Sequence, residues 1–179
     1  DGNCTADLDC LGECGGMAIE DECGICDGDG SSCLGINLSF SNVNTTDGTM
    51  DIYMVNELEL GGFQIELSGL NILSATGGSA ADAGFAISAS SSTLLGFSFS
   101  GATISVGEGV LLNVTFDSPT PEICFLEETV LSDASGDPIT ATLGDCYSGT
   151  PGCMDNTACN YNMAATYDDG SCAFEFDCA

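Results

Sequence analysis

The chain has no lysine, arginine, histidine or tryptophan in 179 residues, against 28 aspartates and glutamates. An average domain is about 25% charged with both signs, so roughly 20 basic side chains are missing. Their absence excludes side-chain ion pairs. It also removes the imidazole base, the arginine clamp and the lysine nucleophile, so the chain reads as a non-enzyme. The net charge of −28 excludes nucleic acid as a partner, because two polyanions repel. An anionic membrane surface is disfavoured for the same reason. No apolar run approaches the length of about 18 residues that spans a bilayer, so no membrane insertion is expected. The charge must then be met by water, mobile ions or bound metal.

What is present is apolar residues (44%) and twelve cysteines. The apolar share suffices for a core and argues against disorder. The cysteines point to an oxidising, extracellular or cell-surface location. They fall into three even groups, each able to close its own disulfides. Cys4, Cys10, Cys14, Cys23, Cys26 and Cys33 lie near the start, Cys124 and Cys146 in the middle, and Cys153, Cys159, Cys172 and Cys178 at the end. A four-thiolate zinc site at Cys10, Cys14, Cys23 and Cys26 is the alternative for the first group. The chain begins at Asp1 without initiator methionine or signal peptide, which reads as a processed chain or a piece of a longer one.

The fold class is all-β, in three segments. Residues 1–34 form a Cys/Asp/Gly-rich arm that cannot build an apolar core and depends on disulfides or metal. Residues 35–148 read as eight or nine short strands, at 35–41, 49–56, 60–68, 70–75, 83–89, 93–100, 109–116, 123–131 and 138–144. Apolar and polar residues alternate, with Phe63, Ile65 and Leu67 on one face and Gln64 and Glu66 on the other. Turn residues punctuate the segment at Asp47-Gly48, Gly77-Gly78, Ser118-Pro119 and Gly136-Asp137-Pro138. Strands at this spacing make a β-sandwich or jelly roll. No amphipathic helix is expected. Cys124 and Cys146 flank the last two strands and are expected to bond across them. Residues 149–179 form a second module, rich in Cys, Asn and Asp.

Hard oxygen ligands suit Ca²⁺, which takes six to eight of them. The arm offers Asp21, Glu22, Asp27 and Asp29; the C-terminal module offers Asp155, Asn156, Asn160, Asn162, Asp168 and Asp169. The competing reading is that these residues cap turns through their own backbone. Asn-x-Ser/Thr sequons open to glycosylation lie at Asn3, Asn37, Asn44 and Asn113. Residues 1–10 (DGNCTADLDC) and 169–178 (DGSCAFEFDC) share Asp, Gly, Cys, Asp and Cys without a gap. The match suggests a tandem array or an end-to-end polymer.

The stretches GGFQIELSG, GVLLNVTF and VLSDASGDPITATLGD resemble the cohesin family of β-sandwich modules, over about 110 residues of the middle segment. The resemblance implies a cohesin-like sandwich and, by analogy, a dockerin-like partner. GCMDNTACNYNMAATYDDGSC is similar to short repeats of large secreted or surface proteins of aquatic bacteria. DECGICDGDGSSC looks like a motif of those same proteins, and resembles the cysteine-rich part of thrombospondin-motif metalloproteases. Neither resemblance supplies a catalytic residue.

Two functions follow. One is a calcium-stabilised fibre or matrix subunit whose partners are copies of itself. The other is an adhesion module binding a dockerin-like partner or a glycan, which exposed aromatics on one sheet face would favour. Glycosidase chemistry needs two facing carboxylates. The adjacent Glu127 and Glu128, on a strand at 123–131, would point to opposite faces.

Overall fold

A computed structural model describes residues 9–19, 26 and 35–174. The chain divides into two units, Asp1–Gly35 and Ile36–Ala179.

In the first unit Asp9 organises a tight turn. Its carboxylate accepts hydrogen bonds from the backbone N–H of Leu11 (3.1 Å), Glu13 (2.8 Å) and Ala18 (3.4 Å). Cys10 is bonded to Cys26 and Cys14 is also disulfide-bonded. Three of the four sulfurs of the alternative zinc site are therefore held in disulfides. Cys4, Cys23 and Cys33 lie outside the described residues.

The second unit is a two-layered β-sandwich. The first sheet contains β1 (Ile36–Asn44), β2 (Thr49–Asn56), β4 (Asn71–Thr76), β7 (Gly107–Asp117) and β11 (Ala141–Leu143), in the order β11-β1-β2-β7-β4. Its pairings are antiparallel except β1 with β11. The second contains β3 (Gly62–Ser68), β5 (Ala86–Ala89), β6 (Thr93–Phe97), β9 (Val130–Ser132) and β10 (Pro138–Ile139), in the order β10-β9-β3-β6-β5. β8 (Glu122–Phe125) pairs with the end of β3, and β12 (Tyr147–Ser148) pairs with β8.

Period-2 alternation sends one face of each strand inward. Ile36 and Leu38, Met50, Ile52 and Met54, and Leu112, Val114 and Phe116 from the first sheet meet Phe63, Ile65, Leu67, Leu94, Ile123 and Leu131 from the second in one core. Phe40 of β1 stacks on Phe125 of β8 across the layers, ring centroids 4.0 Å apart. Gly96 is required by the close approach of a ring: a Cβ there would sit 2.1 Å from Phe63 Cζ. The buried Asn56 is satisfied, its Nδ2 donating to the carbonyls of Leu58 (2.9 Å) and Ser105 (3.0 Å).

Three local expectations are corrected. The segment 123–131 is two strands, β8 and β9, with Glu127 and Glu128 both exposed in the turn between them rather than on opposite faces of one strand. The segment 138–144 also splits. Pro138–Ile139 joins the second sheet and Ala141–Leu143 the first, so the chain changes layers at Thr140. A five-residue helix, α1 (Gly78–Asp82), bridges β4 and β5. Its entry needs Gly78 at φ 64°, where a Cβ would lie 2.3 Å from the Leu111 carbonyl oxygen. Among the described residues no helix is long and apolar enough to cross a membrane.

The C-terminal module contains a parallel pair, β13 (Pro151–Gly152) with β14 (Tyr167–Asp168), stapled by Cys153–Cys172. It is stitched to the sandwich. The Thr45 hydroxyl donates to the Thr166 carbonyl, and Gly149 N–H to the Pro121 carbonyl (2.7 Å).

Candidate functional site

The outward side of the second sheet is built by the residues that alternate with its core. Cross-strand register aligns Val130, Gln64, Leu95 and Ser88 in one row, and Ser132, Gly62, Phe97 and Ala86 in the next. Val130 (53% exposed), Leu95 (38%) and Phe97 (37%) therefore stand together on the surface. Phe99, 87% exposed, packs edge-on against Phe97 with centroids 4.8 Å apart.

Three hollows lie on or beside this face, the second of them at the margin where β9 and β10 meet β11 of the first sheet. One of about 290 Å³ lies between Gly62, Gln64, Leu95, Phe97 and Val130. A second, about 340 Å³, runs from Val130 past Glu127 and Thr129 to Pro138 and Leu143. A third, about 280 Å³, lies over Ser88, Thr93 and Leu95. Shared walls at Val130 and Leu95 make them neighbours.

Glu66 is a carboxylate on the outward side of β3. Its Oε1 accepts from Gln64 Nε2 (3.1 Å) and its Oε2 from the Thr93 hydroxyl (2.9 Å). Its backbone N–H donates to the Thr129 hydroxyl (3.1 Å). Sequence reasoning placed Glu66 on the polar face of a strand but gave it no role. The signal was the Gln64/Glu66 alternation; the cross-strand partners were not legible.

The metal-ligand candidates behave as turn caps. Asp155 Oδ1 accepts from Thr157 N–H (2.8 Å) and hydroxyl (2.7 Å). Hydrogen bonding to Thr157 lowers the Asp155 pKa, and Ser171 does the same for Asp169. Asp168 accepts from Gly170 N–H (3.1 Å) and Asn162 from Ala164 N–H (3.0 Å). Asn160 bridges to the Ser171 carbonyl and the Ala173 N–H, both at 2.7 Å. Asn156 is exposed. Among the described residues no three carboxylate or cysteine side chains gather closely enough to hold a metal ion. Asp21, Glu22, Asp27 and Asp29 lie outside the described residues.

The charge finds other company. Asn113 Nδ2 (2.7 Å) and Asn42 Nδ2 (2.8 Å) donate to the two oxygens of Asp51. Asn44 donates to Asp47 and Asn71 to Asp117, both at 2.8 Å. Primary amides and hydroxyls take the positions that cations occupy elsewhere. They satisfy the carboxylates without cancelling their charge.

Of the sequon asparagines, Asn37, Asn44 and Asn113 are exposed on strands of the first sheet, away from the apolar face; Asn3 lies outside the described residues. Cys124 is bonded to Cys146, and Cys159 is disulfide-bonded; Cys178 lies outside the described residues.

No family model matches the chain, and no curated protein does. Solved structures do. The sixth cohesin of scaffoldin B from Acetivibrio cellulolyticus, in complex with a mutant Cel5 dockerin, is 18% identical over 62% of this chain and 96% of that one, TM-score 0.44. A non-cellulosomal cohesin from the archaeon Archaeoglobus fulgidus is 14% identical, covering 60% and 85%, TM-score 0.45. A type III cohesin from the cell-surface anchoring scaffoldin ScaE of Ruminococcus flavefaciens is 18% identical, covering 62% and 81%, TM-score 0.40. These are likenesses of fold, and no partner or activity is carried over from them.

Proposed function

We propose that the chain is an extracellular adhesion or scaffolding module that binds a protein partner, dockerin-like in character, on the outer face of its second sheet. The observation that carries this is the cluster of Val130, Leu95, Phe97 and Phe99 on one exposed face. Contiguous exposed apolar surface marks interaction sites in soluble proteins. The charges around it, Glu66 and Glu127, are all negative, and the chain holds no basic side chain. Charge complementarity therefore favours a partner with a basic rim, whose approach the field of −28 steers.

The test is surface binding of a panel of dockerin modules to the chain and to its Phe97→Asp variant. The expected result is a dockerin bound by the parent chain and released at least tenfold more readily by the variant. No binding by any member, or binding indifferent to Phe97→Asp, overturns the reading.

The fibre subunit is the second reading, favoured by the match between residues 1–10 and 169–178. Two copies at −28 repel, so that reading requires added cations such as Ca²⁺. Sedimentation in CaCl₂ against EGTA separates the two. Calcium-dependent polymers support the fibre, and a monomer in both supports the module.

A further inference from the structure

Glu66 is hydrogen-bonded to three residues that line the hollows. Its carboxylate accepts from Gln64, which lines the hollow beside Phe97, and from Thr93, which lines the one beside Ser88; its backbone N–H donates to Thr129, which lines the one beside Pro138. Both donors to the carboxylate are neutral, and they restrict its rotation. A carboxylate fixed in this way costs little further entropy when it accepts a donor, which is the condition under which a surface ion pair becomes worth having. Leu95 and Val130 flank Gln64, two residues from Glu66 along the same strand face, and are exposed enough to take an apolar group.

We infer that Glu66 is the specificity-determining residue of this face. It selects a partner side chain or motif that places a lysine or arginine head next to an apolar anchor. The inference rests on the docking reading above and names what that face chooses. An apolar or acidic group over Glu66 would desolvate the carboxylate without supplying a compensating positive charge, so it is disfavoured by the same contact.

The probes are benzylguanidinium and its neutral counterpart benzylurea. They are titrated into isotope-labelled full chain while the methyl signals of Leu95 and Val130 and the side-chain carboxyl of Glu66 are followed by NMR. Salt is set at 0.15 M, where the Debye length of about 8 Å suppresses the general field. The expected result is that the cation binds about threefold to fivefold more tightly than the urea, as an exposed ion pair allows. The advantage falls to about one in Glu66→Gln, which keeps the shape and an oxygen acceptor. It persists in Glu108→Gln, which removes one charge from the first sheet. If both compounds move Leu95 and Val130 equally in the parent chain, or the cation's advantage survives in Glu66→Gln, the role of Glu66 is overturned while the docking face stands. If neither compound moves Leu95 or Val130, the docking face falls, and this inference with it.

Discussion

Asp51 between Asn42 and Asn113 illustrates how single residues solve the problem posed by a chain without cations. Asn113 is 62 residues from Asp51 in sequence and Asn71 is 46 from Asp117. Those amides were visible in the composition, but nothing local said which carboxylate each would meet. Hence the expectation that anions lacked protein partners overlooked the amides. At the same scale, Gly96 is set by the Phe63 ring rather than by any turn. Gly96→Ala should destabilise the fold by about 1–3 kcal/mol through overpacking. Urea denaturation followed by tyrosine fluorescence measures it, and an unchanged midpoint would show that the ring has room to move.

Among the elements, β2 (Thr49–Asn56) matches the expected 49–56 because its Met50, Ile52 and Met54 alternation is uninterrupted. The segment 138–144 reads as a single strand because a change of layer carries little signal when apolar residues continue on both sides of it, whereas 123–131 breaks at the Glu127–Glu128 turn between two strands that both pair with β3. The Cys124–Cys146 bond ties β8 to the residue just before β12 at the margin of the second sheet. In the chain-entropy model a loop with 22 residues of separation contributes about 3 kcal/mol. Removing both cysteines, as Cys124→Ala with Cys146→Ala, should lower the unfolding free energy by about that amount. Equilibrium urea titration checks it, and a loss under about 1 kcal/mol would place the stabilisation in packing instead.

For the whole molecule, charge of one sign sets the solution behaviour. Self-repulsion opposes the compact state, and salt screens it over a Debye length of about 10 Å at 0.1 M. Raising NaCl from low to high concentration should therefore raise the melting temperature, the opposite of the trend in a protein held by surface ion pairs. Calorimetry with CaCl₂ and NaCl at matched ionic strength adds the decisive comparison. An equal rise in both salts means screening alone, and a larger rise with calcium means bound metal.

From its sequence alone this chain was committed to β structure, to disulfides and to a charge that nothing internal can neutralise. Those properties follow from composition and from period-2 alternation, which are local. Tertiary structure decided which strands share a sheet, that the C-terminal module is sewn to the sandwich, and that Asp155, Asp168 and Asp169 cap turns. It also brought Glu66 together with Gln64, Thr93 and Thr129 beside Leu95 and Val130. That assembly depends on register between strands distant in the chain, and register is set by how two faces fill one core, which no short stretch of residues encodes.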